Sequence, residues 1–363
     1  MRVLVVLPHL SGQGGIETVV SIIMDHVALG ADHWRLASPS GMAGSSWQPA
    51  SWPLVVGDGR GRFLAERRWL RSICADDDHD VIITISRRNT LEVLTLRRQL
   101  RSRAKVVWWP HFSLRTGSMA QRAMQAILDK VMLPRIDHCL AISSGIASQL
   151  VAAGVSASRV TTVFNPVLLD PSAPLIPPSQ DSTIRLAYVG RLLLDGQKNL
   201  RELIAAVRTI GRPVHLQFVG DGPDRAEIER IFGSAMPPEV TADFTGWVQD
   251  PWAQICNADG LVLVSRYEGL GLVLVEAIWR GLPVISSDCD TGPADIVNAS
   301  NGLLYPPGDG SALRARIVGL KQDRDRFNPQ TMRDSVATFA PVPYIVRLRE
   351  ALRELAEAGG GRP

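Results

Sequence analysis

The chain lacks the marks of several protein classes. Its four cysteines, Cys74, Cys139, Cys256 and Cys289, lie far apart with no Cys-x-x-Cys pair among them. That excludes a disulfide scaffold and a clustered zinc site, and fits a reducing compartment. No apolar run approaches the roughly 18–20 residues a membrane-spanning helix needs, and runs such as Leu261–Val264 have the length of a strand. The opening VLVVL stretch is broken by Pro8, His9 and Gly12. The break comes too early for the apolar core of a signal peptide, so the stretch reads as a first buried strand of a cytoplasmic protein. Charge is nearly balanced, 39 basic against 36 acidic side chains for a net of +3, so no nucleic-acid partner is expected.

What is present is a long alternation of two periodicities. At 363 residues and 45% hydrophobic, the chain has material for about two domains. Strand-like runs at 3–7, 34–38, 81–85, 105–109, 138–143 and 160–164 alternate with helical stretches at 16–29, 62–74, 89–102, 117–133 and 144–153. Pro166, Pro171, Pro174, Pro177 and Pro178 then crowd together, and proline-dense polar sequence resists both helix and sheet. Strands resume at 184–190, 215–222, 241–245, 260–265 and 283–287, with helices at 199–209, 223–232, 251–257 and 272–280. A last helix, 344–357, carries Ile345, Leu348, Leu352 and Leu355 at helical spacing. This is the pattern of parallel α/β sheets. Two Rossmann-like domains, 1–165 and 184–340, are expected, joined by a linker over 166–183 and followed by a terminal helix and tail over 341–363.

The balanced total hides an asymmetry. Residues 1–170 hold 19 Lys and Arg against 13 Asp and Glu, a net of +6, and residues 171–363 hold 20 against 23, a net of −3. Part of the excess, Arg60, Arg62, Arg67, Arg68 and Arg71, surrounds Phe63, Leu64, Trp69 and Leu70. A basic stripe with embedded apolar residues suits an anionic membrane surface. An ordinary solvated helix would turn the same apolar residues inward.

The chemistry concentrates in YEGLGLVLVEAIWRGLPVISSDCDTGP, residues 267–293. Gly269, Leu270 and Gly271 form a loop ahead of a helix that begins at Leu272. Glycine backbone at a helix start exposes N–H donors at the positive end of the dipole, a place for a diphosphate. Glu268 stands at the mouth of this loop, able to accept hydrogen bonds from sugar hydroxyls, and Glu276 lies inside the helix, able to take a ribose diol. Upstream, Gly190-Arg191 ends a strand and Lys198-Asn199 opens the next helix, placing two cations to neutralise a leaving diphosphate. Gly220-Asp221-Gly222-Pro223 makes a second tight turn, and Trp247-Val248 offers an aromatic wall and backbone groups to a base. Gly14-Gly15 opens the first helix without a GxGxxG pattern, and no acidic residue closes the second strand, which disfavours NAD. His111 follows the strand that ends in Trp108-Trp109-Pro110. A lone histidine is more often structural, yet the carboxyl end of a strand in an open sheet is where ligands bind.

Together, Glu268-x7-Glu276, Gly190-Arg191 with Lys198-Asn199, Gly220-Asp221-Gly222-Pro223 and Gly14-Gly15 resemble the retaining family-4 glycosyltransferases of GT-B fold, over nearly the whole chain. GRLLLDGQKN (190–199) and SSDCDTGP (286–293) are most similar to bacterial lipopolysaccharide and capsule hexosyltransferases. The resemblance implies two facing Rossmann-like domains with the final helix crossing back to the N-terminal one. It implies a nucleotide-sugar donor, UDP rather than GDP, on the C-terminal domain. The implied acceptor is a glycolipid or lipid-linked saccharide on the N-terminal domain, at an anionic membrane surface on the inner face of the plasma membrane. By the same likeness, Arg191 and Lys198 bind the diphosphate, Glu268 touches the donor sugar, Glu276 holds the ribose, and His111 lies near the sugar. These make Glu268, His111, Arg191 and Lys198 the catalytic set. Gly15, Gly190, Gly220, Trp247, Val248, Gly269, Leu270, Gly271 and Leu272 complete the donor side, with Gly14 and His111 toward the acceptor. Leu270 stands where the family has phenylalanine, and the interval from Arg191 to Lys198 is one residue longer than in some members.

Asp288-Cys289-Asp290 spells the Asp-x-Asp that holds a metal in a different glycosyltransferase fold. In a GT-B context cationic side chains and helix dipoles take that part, so no metal or other cofactor is expected. The implied reaction is attack of an acceptor hydroxyl on the anomeric carbon as the nucleoside diphosphate leaves, with configuration retained. Two other readings stay open: a GT-B nucleotide-sugar epimerase, and a nucleotide-sugar binding protein without transfer activity.

Overall fold

Buried apolar runs become parallel strands in both halves of the chain, because strands covered by helices on both faces need apolar residues at every position. The computed structural model describes residues 1–8, 15–27, 32–39, 54–57, 63–76 and 79–357. The chain divides into unit 1, Met1–Leu168 with Phe339–Pro363, and unit 2, Leu169–Thr338.

Unit 1 runs β1 (Arg2–Val6), α1 (Gly15–Val27), β2 (His33–Ser38), β3 (Leu54–Val56), α2 (Phe63–Asp76), β4 (Val81–Thr84), α3 (Arg87–Gln99), β5 (Lys105–Trp108), α4 (Met119–Met132), β6 (His138–Ala141), α5 (Ser144–Ala152) and β7 (Val160–Thr162). Its sheet has the order β3-β2-β1-β4-β5-β6-β7, parallel throughout. Unit 2 runs β8 (Ile184–Val189), α6 (Leu200–Val207), β9 (Val214–Val219), α7 (Arg225–Ser234), β10 (Val240–Gly246), β11 (Gly260–Leu263), α8 (Leu272–Trp279), β12 (Val284–Ser287), α9 (Pro293–Ile296), β13 (Gly302–Tyr305), α10 (Gly310–Gln322) and α11 (Pro329–Val336). Its parallel sheet has the order β10-β9-β8-β11-β12-β13. The last helix, α12 (Pro341–Glu357), belongs to unit 1. Tyr344 and Leu348 of α12 face Val20, Ile23 and Met24 of α1 across a small apolar cavity. Asp32 anchors the same helix, 3.5 Å from Arg349 and 3.3 Å from the Met1 ammonium.

Three features differ from the sequence pattern. The expected helix at 251–257 is a single 3-10 turn, Trp252–Gln254. The chain beyond it turns toward β8, with the Ala258 and Asp259 N–H groups donating to the Pro177 and Arg185 carbonyls. Short elements escape periodicity altogether: β3 has three residues, β13 four and α9 four. The proline-rich stretch forms neither helix nor strand, yet it packs on unit 2 rather than hanging free. Ala173 and Ile176 are buried, the Ile176 N–H donates to the Arg280 carbonyl at 2.9 Å, and Arg333 Nη2 donates to the Ala173 carbonyl at 2.8 Å.

The end of this stretch is pinned by a buried charge. Asp259 is fully buried and accepts from the Arg185 N–H at 2.8 Å, from the Ser179 hydroxyl at 2.9 Å and from Lys321 Nζ at 3.0 Å. Removing one partner of such a group leaves the other charge uncompensated, which costs about 3–5 kcal/mol. Asp259→Ala is therefore expected to lower unfolding stability by that amount in urea titrations, and a loss below about 1 kcal/mol would show the cluster to be dispensable.

Candidate functional site

Each sheet reverses its winding once, between β1 and β4 in unit 1 and between β8 and β11 in unit 2. At such a switch point the loops leaving the strands' carboxyl ends run in opposite directions and open a crevice. In unit 2 these are the loops after β8 and after β11, and they bring together two residues distant in sequence. Lys198 Nζ donates to Glu268 Oε1 at 2.7 Å, and the Ser265 hydroxyl donates to the same oxygen at 2.6 Å. Oε2 has no hydrogen-bond partner among the described residues. The Thr291 hydroxyl donates to the Glu268 carbonyl, and the Arg266 N–H donates to the Gln197 carbonyl at 2.8 Å. The two loops are thus laced together by backbone as well as by charge.

Arg191 lies on the first loop, where its carbonyl accepts from the Tyr188 hydroxyl at 2.8 Å. Its side chain is exposed and has no ion-pair partner among the described residues, so its charge is unspent. Gly271 adopts φ +90° and begins α8 with no side-chain cap. A residue with a Cβ is strained there. In the first turn of α8 the Leu274 N–H donates back to the Gly271 carbonyl at 2.9 Å, which leaves the Leu272 and Val273 amides without intrahelical acceptors. Gly220 has a different role. Its N–H donates to the Gly246 carbonyl at 2.8 Å, and a Cβ there would lie 2.1 Å from the Gly190 carbonyl oxygen. Only glycine lets the loops after β8, β9 and β10 close up. Trp247 follows directly, 58% exposed, with Val248 half-buried.

Glu276 sits within α8, where its Oε2 accepts from Trp252 Nε1 at 3.0 Å. The Arg280 guanidinium lies over the Trp252 ring at 4.9 Å. Burial raises the Glu276 carboxyl above its ordinary range, against the Trp252 N–H and the Arg280 charge, which both lower it. The Leu270 side chain is buried, so this position can offer a ligand its backbone but not a side-chain wall. Gly269 and Leu272 flank it in the same loop. Cys289, near Glu268, is no nucleophile: burial and the Glu268 charge push its thiol up to about 11, and only the thiolate is reactive. No group of three or more His, Cys, Asp or Glu side chains among the described residues is placed to hold a metal ion, Asp288 and Asp290 included.

In unit 1, His111 follows β5 with its ring buried edge-on to Trp109, centroids 4.2 Å apart. Asn165 Nδ2 lies 3.4 Å from Nδ1, and Nε2 has no hydrogen-bond partner. Burial lowers the imidazole pKa to about 3, so the ring is neutral near pH 7. Gly15 is exposed at the start of α1, and Gly14 lies outside the described residues. Ser265, Thr291, Trp252 and Asn165 are the site residues that motif reading passed over. Ser265 and Thr291 fall inside stretches that drew attention for other residues. Nothing in the sequence links Trp252 to a helix twenty-odd positions later.

Comparison with known proteins agrees with this architecture. Residues 183–323 match the family described as Glycosyl transferases group 1, and residues 14–170 match Glycosyltransferase Family 4. A lipopolysaccharide 1,6-galactosyltransferase of Salmonella typhimurium is 32% identical over 290 residues, 78% of this chain and 76% of that protein. The apo structure of the lipopolysaccharide outer core galactosyltransferase WaaB superposes with a TM-score of 0.82 at 24% identity, over 98% of this chain and 99% of that one. The Anabaena HepE structure in complex with UDP-glucose superposes with a TM-score of 0.75 at 18% identity, over 98% of this chain and 100% of that one. The fold is GT-B, and the chain belongs to the family-4 glycosyltransferases.

The buried imidazole gives a stability signature. A histidine whose folded pKa is depressed contributes stability that is present above its unfolded pKa of about 6.5 and lost as pH falls toward the folded value. Between pH 6.5 and 5 the wild type should lose about 2 kcal/mol that a His111→Asn variant keeps, measured by urea unfolding at each pH. Parallel curves for the two proteins would place the imidazole in contact with water.

Proposed function

We propose that this chain transfers a hexosyl group, with retention of anomeric configuration, from a UDP-sugar to a hydroxyl of a lipid-linked saccharide in lipopolysaccharide or related envelope polysaccharide synthesis. The observation that carries the reading is the Lys198–Glu268 pair at the switch point of unit 2, with the unspent Arg191 on the same loop. The name of the Salmonella relative and the UDP-glucose held by the HepE structure support the donor and acceptor classes.

Unit 2 is assigned the donor. As the bond to the sugar breaks, negative charge grows on the leaving diphosphate. Arg191, Lys198 and the first amides of α8 oppose that charge more strongly in the transition state than in the ground state. Lys198 brings three donors, of which Glu268 takes one, so it can turn the others to phosphate. Oε2 of Glu268 is left for a sugar hydroxyl, Glu276 for the ribose and Trp247 for the base. His111, a neutral imidazole with one nitrogen unpartnered, is assigned a sugar hydroxyl from unit 1, whose surface takes the acceptor. With the thiol of Cys289 held protonated and Glu268 Oε2 given to a sugar hydroxyl, the route is a same-face substitution assisted by the leaving group. Charge is balanced by side chains and a helix dipole, so the reaction needs no metal, and the protein works at the inner face of the plasma membrane.

A panel of UDP-, GDP- and ADP-hexoses, assayed for binding and slow hydrolysis with EDTA present, tests this. Selective turnover of one UDP-hexose is expected. Activity abolished by EDTA and restored by Mg²⁺ or Mn²⁺ would return a metal role to Asp288 and Asp290. Donor turnover to an isomer without acceptor would point to an epimerase. Replacing Glu276 by alanine removes a charge-assisted partner of the ribose worth about 1.5–3 kcal/mol. A rise in donor KM of about 10–100-fold is expected, and an unchanged KM would remove the ribose assignment.

A further inference from the structure

Helix α4 carries an apolar stripe on its outer side. Ser118 and Gln121 close a capping box at its start, the Ser118 N–H donating to Gln121 Oε1 at 2.8 Å and the Gln121 N–H to Ser118 Oγ at 3.3 Å, so its register is well specified. An ordinary surface helix turns its apolar stripe to the core. Here the side turned to the body of unit 1 mixes polar and apolar residues, Gln125, Leu128, Asp129 and Met132, half-buried or buried. Asp129 is spent on Arg87, which forks onto both carboxylate oxygens at 2.7 and 3.1 Å. The apolar stripe faces outward instead: Met119 is 80% exposed, Met124 58%, Ile127 59% and Val131 45%. Phe112, on the loop that leads from His111 to the helix, is 52% exposed.

The charge around this stripe selects its occupant. Residues 111–135 carry Arg115, Arg122, Lys130 and Arg135 against the single acid Asp129, a net of +3, and that acid is already neutralised by Arg87. A second copy of the chain docking through the same face would bring two such patches together, which like-charge repulsion opposes. An apolar stripe flanked by lysine and arginine, lying along one helix, matches an anionic lipid surface. The stripe on α2 offers less, with Leu64 its one exposed large apolar residue among those described. Leu70 and Ile73 point inward, Arg67 pairs with Glu92 at 3.2 Å, and Arg88 pairs with Glu66 at 2.6 Å.

The geometry points to the outward face of α4, with Phe112 and the flanking Arg122 and Lys130, as the surface that seats the protein on an anionic bilayer. Its helix begins eight residues after His111, so a lipid-linked acceptor is presented from the membrane directly beside the loop that carries the imidazole. This rests on the reading of the acceptor as lipid-linked. The experiment is co-sedimentation of the full-length chain with phosphatidylethanolamine vesicles, with and without phosphatidylglycerol, with UDP binding by calorimetry as a separate readout. The wild type should sediment with the phosphatidylglycerol vesicles. Met124→Asp/Ile127→Asp should lower that affinity by about 100-fold. Arg122→Gln/Lys130→Gln should lower it by about 10-fold, and only on the anionic vesicles. Arg67→Gln/Arg68→Gln/Arg71→Gln should bind like wild type, and UDP binding should be unchanged in every variant. The assignment is overturned if the double aspartate variant sediments like wild type, or if wild type ignores both vesicles. It is equally overturned if sedimentation velocity shows a dimer that those aspartates split. Vesicle binding without UDP binding would leave α4 standing and remove the transferase reading instead.

Discussion

The buried ion pair between Lys198 and Glu268 is the constraint on which the site in unit 2 depends. Taking a carboxylate and an ammonium out of water is expensive, and their attraction offsets it only when the geometry is close and further hydrogen bonds are made. Both conditions are met here. The contact is 2.7 Å, Ser265 adds a hydroxyl to the same oxygen, and Thr291 holds the Glu268 carbonyl. Sheet order supplies the rest, because β8 and β11 are neighbours with their outgoing loops diverging. The pair holds the loops together while keeping one carboxylate oxygen and two ammonium protons uncommitted.

The glycines around this pair matter for shape more than for flexibility. Gly220 lets three loops approach to a distance no side chain allows, and Gly271 starts α8 in a conformation that leaves the Leu272 and Val273 amides without intrahelical acceptors. A cation and a carboxylate meet there, and the described residues hold no group of three or more side chains suited to a metal ion. Glu276 is held differently, by the Trp252 indole and near the Arg280 charge, in surroundings dry enough to raise its carboxyl.

Unit 1 contributes polar groups of another kind. His111 is kept neutral by burial, with one nitrogen unpartnered. A neutral imidazole can donate or accept a single hydrogen bond. The loop after it leads into α4, whose polar side is occupied by the Arg87–Asp129 fork and whose apolar side faces out.

The sequence by itself determined the class and most of the elements. Fully buried parallel strands need unbroken apolar runs, and runs such as VLVVL and VIITI are unmistakable. The Glu268-x7-Glu276 stretch and its glycines are contiguous, so local chemistry marks the candidate loop. The tertiary structure alone decided what lies beyond that range. Short pieces such as β3 and β13 are strands because they find a neighbour, since three or four residues carry too little periodicity to declare themselves. The helix expected at 251–257 gave way because Ala258 and Asp259 were claimed by Pro177 and Arg185. Partners such as Ser265 for Glu268 and Trp252 for Glu276 are fixed by strand order and packing. The direction of the α4 stripe was equally hidden: periodicity shows that a helix has an apolar side, but only its neighbours settle whether that side turns inward, and here Arg87 had already taken the polar one.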